Sequence, residues 1–174
     1  VLNYIHQQRG KQLRPILVLL SAAICRGITS KTLQTAVVLE LTHTASLIHD
    51  DVVDNSPTRR GSNSVHQQWS NKIAILTGDY MLAKVISLLS ELRNANLLNI
   101  VSTMSKSLTE GELLQLHAGD TMWISEKQYD QIIEQKTACL FAACSEAGAA
   151  SSGATCRQIT ALRKYGLHLG MCFQ

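Results

Sequence analysis

The chain reads as an all-α protein, an antiparallel helix bundle with short connections, on three observations. Only two prolines interrupt 174 residues rich in Leu and Ala. No stretch shows the apolar–polar alternation of a half-buried strand, and helix-start signatures recur along the sequence. With 45% hydrophobic but only 5% aromatic residues, a core of Leu, Ile, Val and Ala is expected for a single helical domain over residues 1–174.

Residues 1–8 read as the end of a helix. RGKQLRP (residues 9–15) punctuates the chain, and Pro15 suits the first turn of the next helix, where its missing N–H costs nothing. That helix, PILVLLSAAICR, is apolar nearly all round and is expected to be buried, with Gly27 as its C-cap. Ser30 is expected to N-cap a long helix reaching Val53, which Asn55, Ser56 and Pro57 break. Ser62 or Asn63 then caps a short helix containing VHQQWS. Further helices are expected over residues 73–92 and from Asn94 to 117. Ser125 with Gln128, and Thr155 with Gln158, have capping-box spacing and open two more, over residues 125–149 and from 155 onward.

The net charge of +3, from 16 basic and 13 acidic residues mixed along the chain, excludes the dense basic stripe of a nucleic-acid binder. Five cysteines (Cys25, Cys139, Cys144, Cys156, Cys172) form no CxxC pair or zinc-ligand spacing, which points to free thiols and a cytoplasmic setting. No signal peptide is visible, and no apolar run of bilayer length stands out, so no transmembrane segment is expected. The sequence opens at Val1 and stops at Phe173-Gln174 within an apolar helical pattern, and it reads as a portion of a longer chain.

The chemistry concentrates in residues 40–61, ELTHTASLIHDDVVDNSPTRRG. On a helix, Asp50 and Asp54 lie about 40° apart and Asp51 about 60° from Asp54, so all three project from one side. His43 falls within about 20° of Asp50 and Asp54, roughly 10 Å further back. Carboxylates at this spacing repel one another, and anions at a helix C-terminus oppose the macrodipole. A hard divalent cation such as Mg²⁺, commonly held by one or two carboxylates plus substrate phosphates, relieves both costs. Lys11 and Arg14 around a helix start, and Arg59 and Arg60 after the loop, supply donors suited to phosphate oxygens. Taken singly, GKQLRP is an ordinary basic turn, His43 a core histidine, and Lys136 a cation late in a helix. Together they point to one site for metal, diphosphates and hydrocarbon.

These residues resemble the trans-prenyltransferases, or polyprenyl diphosphate synthases. The resemblance runs in family order through GKQLRP (10–15), ELTHTASLIHDDVVD (40–54), RRG (59–61), GDYMLA (78–83), GELLQL (111–116), KTACLF (136–141) and GMCFQ (170–174). It implies an all-α fold around a deep central cavity, a homodimer, and Mg²⁺-dependent condensation of isopentenyl diphosphate with an allylic diphosphate. By the same resemblance, Asp50, Asp51 and Asp54 bind the metal on the allylic diphosphate, and Arg59 and Lys136 contact that diphosphate. Lys11, Arg14, His43 and Arg60 form the isopentenyl diphosphate pocket, and Thr137 and Gln174 lie near the reacting tail. The family carries a second aspartate-rich motif directly after its FQ dipeptide, which is expected to follow Gln174. The chain is thereby read as the N-terminal portion of a longer synthase domain, inactive as it stands if that motif is missing.

Short-product members place a bulky aromatic just upstream of the first aspartate motif or insert residues inside it. Here Ala45 and Ser46 are small and DDVVD has no insertion, implying an open tunnel and a medium-to-long product. Phe141 and Phe173 are expected to face a dry interior. The rival of another class is a non-catalytic regulatory subunit of a heteromeric synthase, which tends to lose the aspartates or arginines retained here. A terpene cyclase would leave Lys11, Arg14 and Arg60 without a role.

Overall fold

The computed structural model describes residues 1–8, 10–119 and 124–174; Arg9, in the basic turn, lies outside them. Nine α-helices occur among the described residues: α1 (Leu2–Gln7), α2 (Leu13–Ala23), α3 (Ser30–Val53), α4 (Val65–Gln68), α5 (Asn71–Leu92), α6 (Ala95–Gly119), α7 (Glu126–Ile133), α8 (Cys139–Ser151) and α9 (Cys156–Phe173). The all-α expectation holds. The capping boxes at Ser125 and Thr155 are both complete, and Asn94 opens α6 by accepting from the amides of Asn96 and Leu97.

Four local expectations are corrected. The cap of α3 is Thr29, whose hydroxyl accepts from the Thr32 amide at 3.2 Å while its own amide donates to the Thr32 hydroxyl; Ser30 already lies inside the helix. The cap of α4 is Ser64, one residue beyond those expected, and its hydroxyl turns to the Pro57 carbonyl and the His66 ring instead of the helix amides. Residues 58–63 form a small hairpin, β1 (Thr58–Arg59) against β2 (Ser62–Asn63). Strands of two residues are too short to alternate. Their two-residue loop, Arg60 and Gly61, takes positive φ at both positions (52° and 78°), the requirement of a type I′ turn.

The fourth correction concerns α2. Leu17, Val18, Ser21 and Ala22 are buried, but Ile16, Leu20 and Ile24 are exposed, the last at 69%. The helix packs along one stripe, and an apolar sequence all round did not translate into burial all round. Gly27 does end this segment, with φ of 96° and its amide on the Ala22 carbonyl at 2.9 Å.

The chain forms two compact units. In the first, residues 1–13 and 37–93, Ala45 and Ile48 of α3 pack with Val65, Ala74 and Met81, flanked by Ile5, Val52 and Leu82. Tyr4 ties α1 to the hairpin through the Asn63 carbonyl (2.8 Å) and meets the Trp69 ring edge-on. In the second, residues 14–36 and 94–174, α8 is the central element: Leu140, Phe141, Ala142, Ala143, Cys144, Ala147 and Ala149 are all buried. Its small residues allow α9 to approach closely at Gly166, where a Cβ would lie 2.5 Å from the Phe141 carbonyl oxygen. Ser151 closes the unit by donating to the Thr32 hydroxyl at 3.0 Å.

Among the described residues, one helix meets the length and composition of a membrane span, an apolar stretch that did not stand out in the sequence. An 18-residue window within the 22-residue α5 reaches a mean hydropathy of 1.5. Scattered polar residues such as Thr77 and Asp79 interrupt its apolar run without lowering the average below that of a span. Its Ala74, Thr77, Gly78, Met81, Val85 and Leu89 form a buried stripe, the pattern of a packed helix.

Candidate functional site

In the first unit, the acidic end of α3 meets the hairpin. Asp51, its side chain 5% exposed, accepts from Arg59 Nε at 2.9 Å and from Arg59 Nη2. The end of α3 makes this possible: Asn55 takes a positive φ of 49° and the Ser56 amide donates to the Asp51 carbonyl at 3.0 Å, turning the chain so that Arg59 returns to Asp51. The Arg59 guanidinium is held above its ordinary pKa, chiefly by the hydrogen bond to Asp51 and further by the charges of Asp51, Asp50 and Asp54. The three carboxylates therefore act on one point, and Arg59 is the cation at that point. Asp50 is half-buried and Asp54 exposed, one turn on, its amide donating to the Asp50 carbonyl at 2.8 Å.

Carboxylate oxygens are the donors a hard divalent cation takes, and the guanidinium marks where positive charge is stabilised. Among the described residues, no group of three or more His, Cys, Asp or Glu is arranged to hold a metal alone. The set fits a cation that completes its shell with water and phosphate oxygens, as Mg²⁺ does.

Asp51, Arg59 and Arg60 line a cavity of about 370 Å³. Leu41, Leu47, Ile48 and Met81 give it an apolar wall, and Glu40 and Thr44 add polar groups from α3. Arg60 is fixed by donating to the Gln8 carbonyl at 2.8 Å. Gly10, of the basic turn, leaves room for the guanidinium: a Cβ there would come within 2.5 Å of Arg60 Cζ. Lys11 is exposed beside it. His43 is buried on α3 and is not part of the cavity lining. Ala45 is completely buried in the cluster with Ile48, Val65, Ala74 and Met81, and it too lies outside the lining. Ser46 is half-buried and donates to the His43 carbonyl at 2.9 Å.

The other expected site residues belong to the second unit. Arg14 lies over the Phe141 ring at 5.4 Å, and Phe141 packs on Phe173 with centroids 5.2 Å apart. Phe141 is buried while Phe173 is exposed. Lys136 donates to Glu112 at 2.8 Å, and Thr137 donates to Gln174 Oε1 at 2.6 Å, joining two residues 37 apart that the sequence had grouped by resemblance alone. Lys136 and Thr137 sit in a π-turn, Glu134–Ala138, between α7 and α8. Two features were missed. Glu112 stands inside GELLQL, but nothing periodic links it to Lys136 24 positions on. The π-turn leaves no mark on a continuous helical pattern.

None of the five cysteines is in a disulfide, so all five are thiols, as expected. Burial pushes the Cys139 thiol up to about 11, partly offset by the Ser107 hydroxyl, and it donates to the Gln135 carbonyl at 2.8 Å. Burial likewise raises Glu146, against the opposing pull of Arg163 at 3.4 Å.

A family model described as polyprenyl synthetase matches residues 1–174. The octaprenyl diphosphate synthase of Haemophilus influenzae is 37% identical over 98% of this chain and 52% of its own length. The heptaprenyl diphosphate synthase component 2 of Bacillus subtilis is 36% identical over 98% of this chain and 49% of its own. The crystal structure of a Caulobacter crescentus polyprenyl synthase complexed with calcium and isoprenyl diphosphate superposes with a TM-score of 0.93 at 40% identity, covering 97% of this chain and 51% of that one. The chain spans about half the length of the curated relatives it matches.

Proposed function

We propose, from the premise that this chain belongs to the polyprenyl synthetase family, that the whole protein extends a trans-polyprenyl diphosphate by condensing isopentenyl diphosphate with an allylic diphosphate. The observation that carries this reading is the corner of the first unit where carboxylates and arginines border an apolar cavity. A charged rim over a hydrocarbon wall matches a substrate with a diphosphate head and an isoprenoid tail.

Asp50, Asp51 and Asp54 are assigned to Mg²⁺, and Arg59 and Lys136 to the allylic diphosphate. Lys11, Arg14, His43 and Arg60 are assigned to isopentenyl diphosphate, and Thr137 and Gln174 to the region of the reacting tail. Bound Mg²⁺ supplies Lewis-acid stabilisation of charge on the departing diphosphate. The arginine forks and the Lys136 ammonium take up the remaining charge as the C–O bond breaks. The isopentenyl double bond attacks the resulting allylic cation, forming the new C–C bond. The product cation then loses a proton to the released diphosphate, so no protein base is required. Apolar lining keeps water from the cation. The small Ala45 and Ser46 support a medium-to-long product, and free thiols support a cytoplasmic setting; a homodimer is the expected assembly.

The test is to purify the full-length protein alone and assay it with labelled isopentenyl diphosphate and an allylic primer. Mg²⁺-dependent elongation, abolished by a chelator, is expected. No turnover alone but turnover on adding a second component would favour the other reading, a non-catalytic subunit of a heteromeric synthase, which the component 2 relative raises. Turnover of the allylic substrate without isopentenyl diphosphate would overturn both.

A further inference from the structure

Between α7 and α8 the helix widens into the π-turn Glu134–Ala138. Such turns are rare and concentrate at functional sites. This one carries costs. The side-chain Oε1 of Gln135 is buried without a hydrogen-bond partner, and buried polar atoms are seldom left so. The backbone carbonyl of the same residue is met by a thiol, from Cys139.

The turn is seated by glycines on two neighbouring helices. A Cβ at Gly111 of α6 would lie 2.8 Å from the Lys136 amide nitrogen, and one at Gly170 of α9 would lie 2.5 Å from Ala138 Cα. The residue after Gly111 is Glu112, and its Oε2 lies 2.8 Å from Lys136 Nζ. The two side chains are 26% and 28% exposed, so the pair is sheltered but open on one side.

We propose that Glu112 is a positioning residue, whose carboxylate sets the direction of the Lys136 ammonium and leaves its other N–H donors for diphosphate oxygens. This rests on the reading of Lys136 as an allylic-diphosphate ligand. A lysine is a point charge on a flexible four-carbon stem and loses rotamer freedom when it binds. The π-turn sets the backbone, the glycines hold α6 and α9 against it, and Glu112 orders the stem before substrate arrives. Its negative charge also repels a diphosphate. Removing that charge therefore harms the alignment needed in the transition state more than it harms substrate binding.

The test compares Glu112→Gln, Lys136→Met and the double variant in the full-length enzyme. Glu112→Gln is expected to lower kcat by about ten- to a hundredfold, the scale of a misplaced positioning group. The KM for the allylic diphosphate is expected to stay level or fall, and the double variant to be no worse than Lys136→Met alone. Where Glu112→Gln fails to fold, Glu112→Asp, which keeps the charge on a shorter arm, carries the same comparison. Wild-type kcat in the Glu112 variant beside an impaired Lys136→Met overturns the positioning role alone. So does an undiminished Glu112 effect in the Lys136→Met background. Wild-type turnover in Lys136→Met removes the reading of Lys136 itself, and the proposal with it.

Discussion

Arg59 donates through two nitrogens to the same Oδ1 of Asp51, so the most buried carboxylate of the acidic cluster is neutralised from within the chain. Arg59→Ala leaves that charge without its partner. We expect it to destabilise the protein by ~2 kcal/mol, between the values for an exposed pair and a fully buried one because Arg59 itself is partly exposed. Adding Asp51→Asn to the variant should recover most of the loss. Urea unfolding midpoints check both; equal midpoints for wild type and Arg59→Ala would mean that the pair contributes nothing.

Asp50 is half-buried and acts on the same guanidinium. On the proposed function, Asp50→Ala in the full-length protein is expected to cut kcat by about a thousandfold or more, roughly 4 kcal/mol of transition-state stabilisation. Steady-state turnover at saturating Mg²⁺ measures this. A variant working at the wild-type rate would refute the metal role.

Ala45 has no exposed surface and touches the packing of Ile48, Val65, Ala74 and Met81. Ala45→Phe must displace these neighbours, at a cost of about 1–3 kcal/mol. On the chain-length reading it also shortens the product, resolved by chromatography of the dephosphorylated prenols. A lowered melting temperature with an unchanged product distribution would reduce Ala45 to a core residue.

Partial burial pushes the Cys139 thiol up to about 11, above its ordinary 9.0. Between those values the unfolded thiol ionises while the folded one keeps its proton, so this group makes stability fall as pH rises through that window. Below it, the thiol is neutral in both states and contributes no slope. Comparing wild type with Cys139→Ser across the window isolates the effect. Near neutral pH, iodoacetamide should label the exposed Cys156 and Cys172 and spare Cys139, which mass spectrometry reads directly. Equal labelling would contradict its burial.

Much of the site was legible because its residues are close in sequence. Asp50, Asp51 and Asp54 share a helix side by spacing alone, and Arg59 and Arg60 follow within one loop. Their division of labour was not legible. Arg59 turns to Asp51 and Arg60 to the Gln8 carbonyl because Arg59 is the last residue of β1 while Arg60 is the first residue of the left-handed turn, and that turn becomes visible only when the hairpin forms. Nor did spacing reveal that His43, on the same stripe as Asp50, is buried away from the cavity lining, or that Ala45 serves a packed cluster.

The sequence by itself determined the all-helical class and the starts of α7 and α9, since Ser125 with Gln128 and Thr155 with Gln158 satisfy amides three residues away and need nothing from the rest of the chain. It also determined which charges were present and how the acidic ones are spaced along α3. Tertiary structure alone decided which face of α2 is buried, which carboxylate Arg59 neutralises, and that Lys136 rests on Glu112 from a π-turn seated by Gly111 and Gly170. Capping is a local hydrogen bond. Pairing across 24 residues, and the extra residue in a helical turn, depend on the close approach of helices distant in sequence.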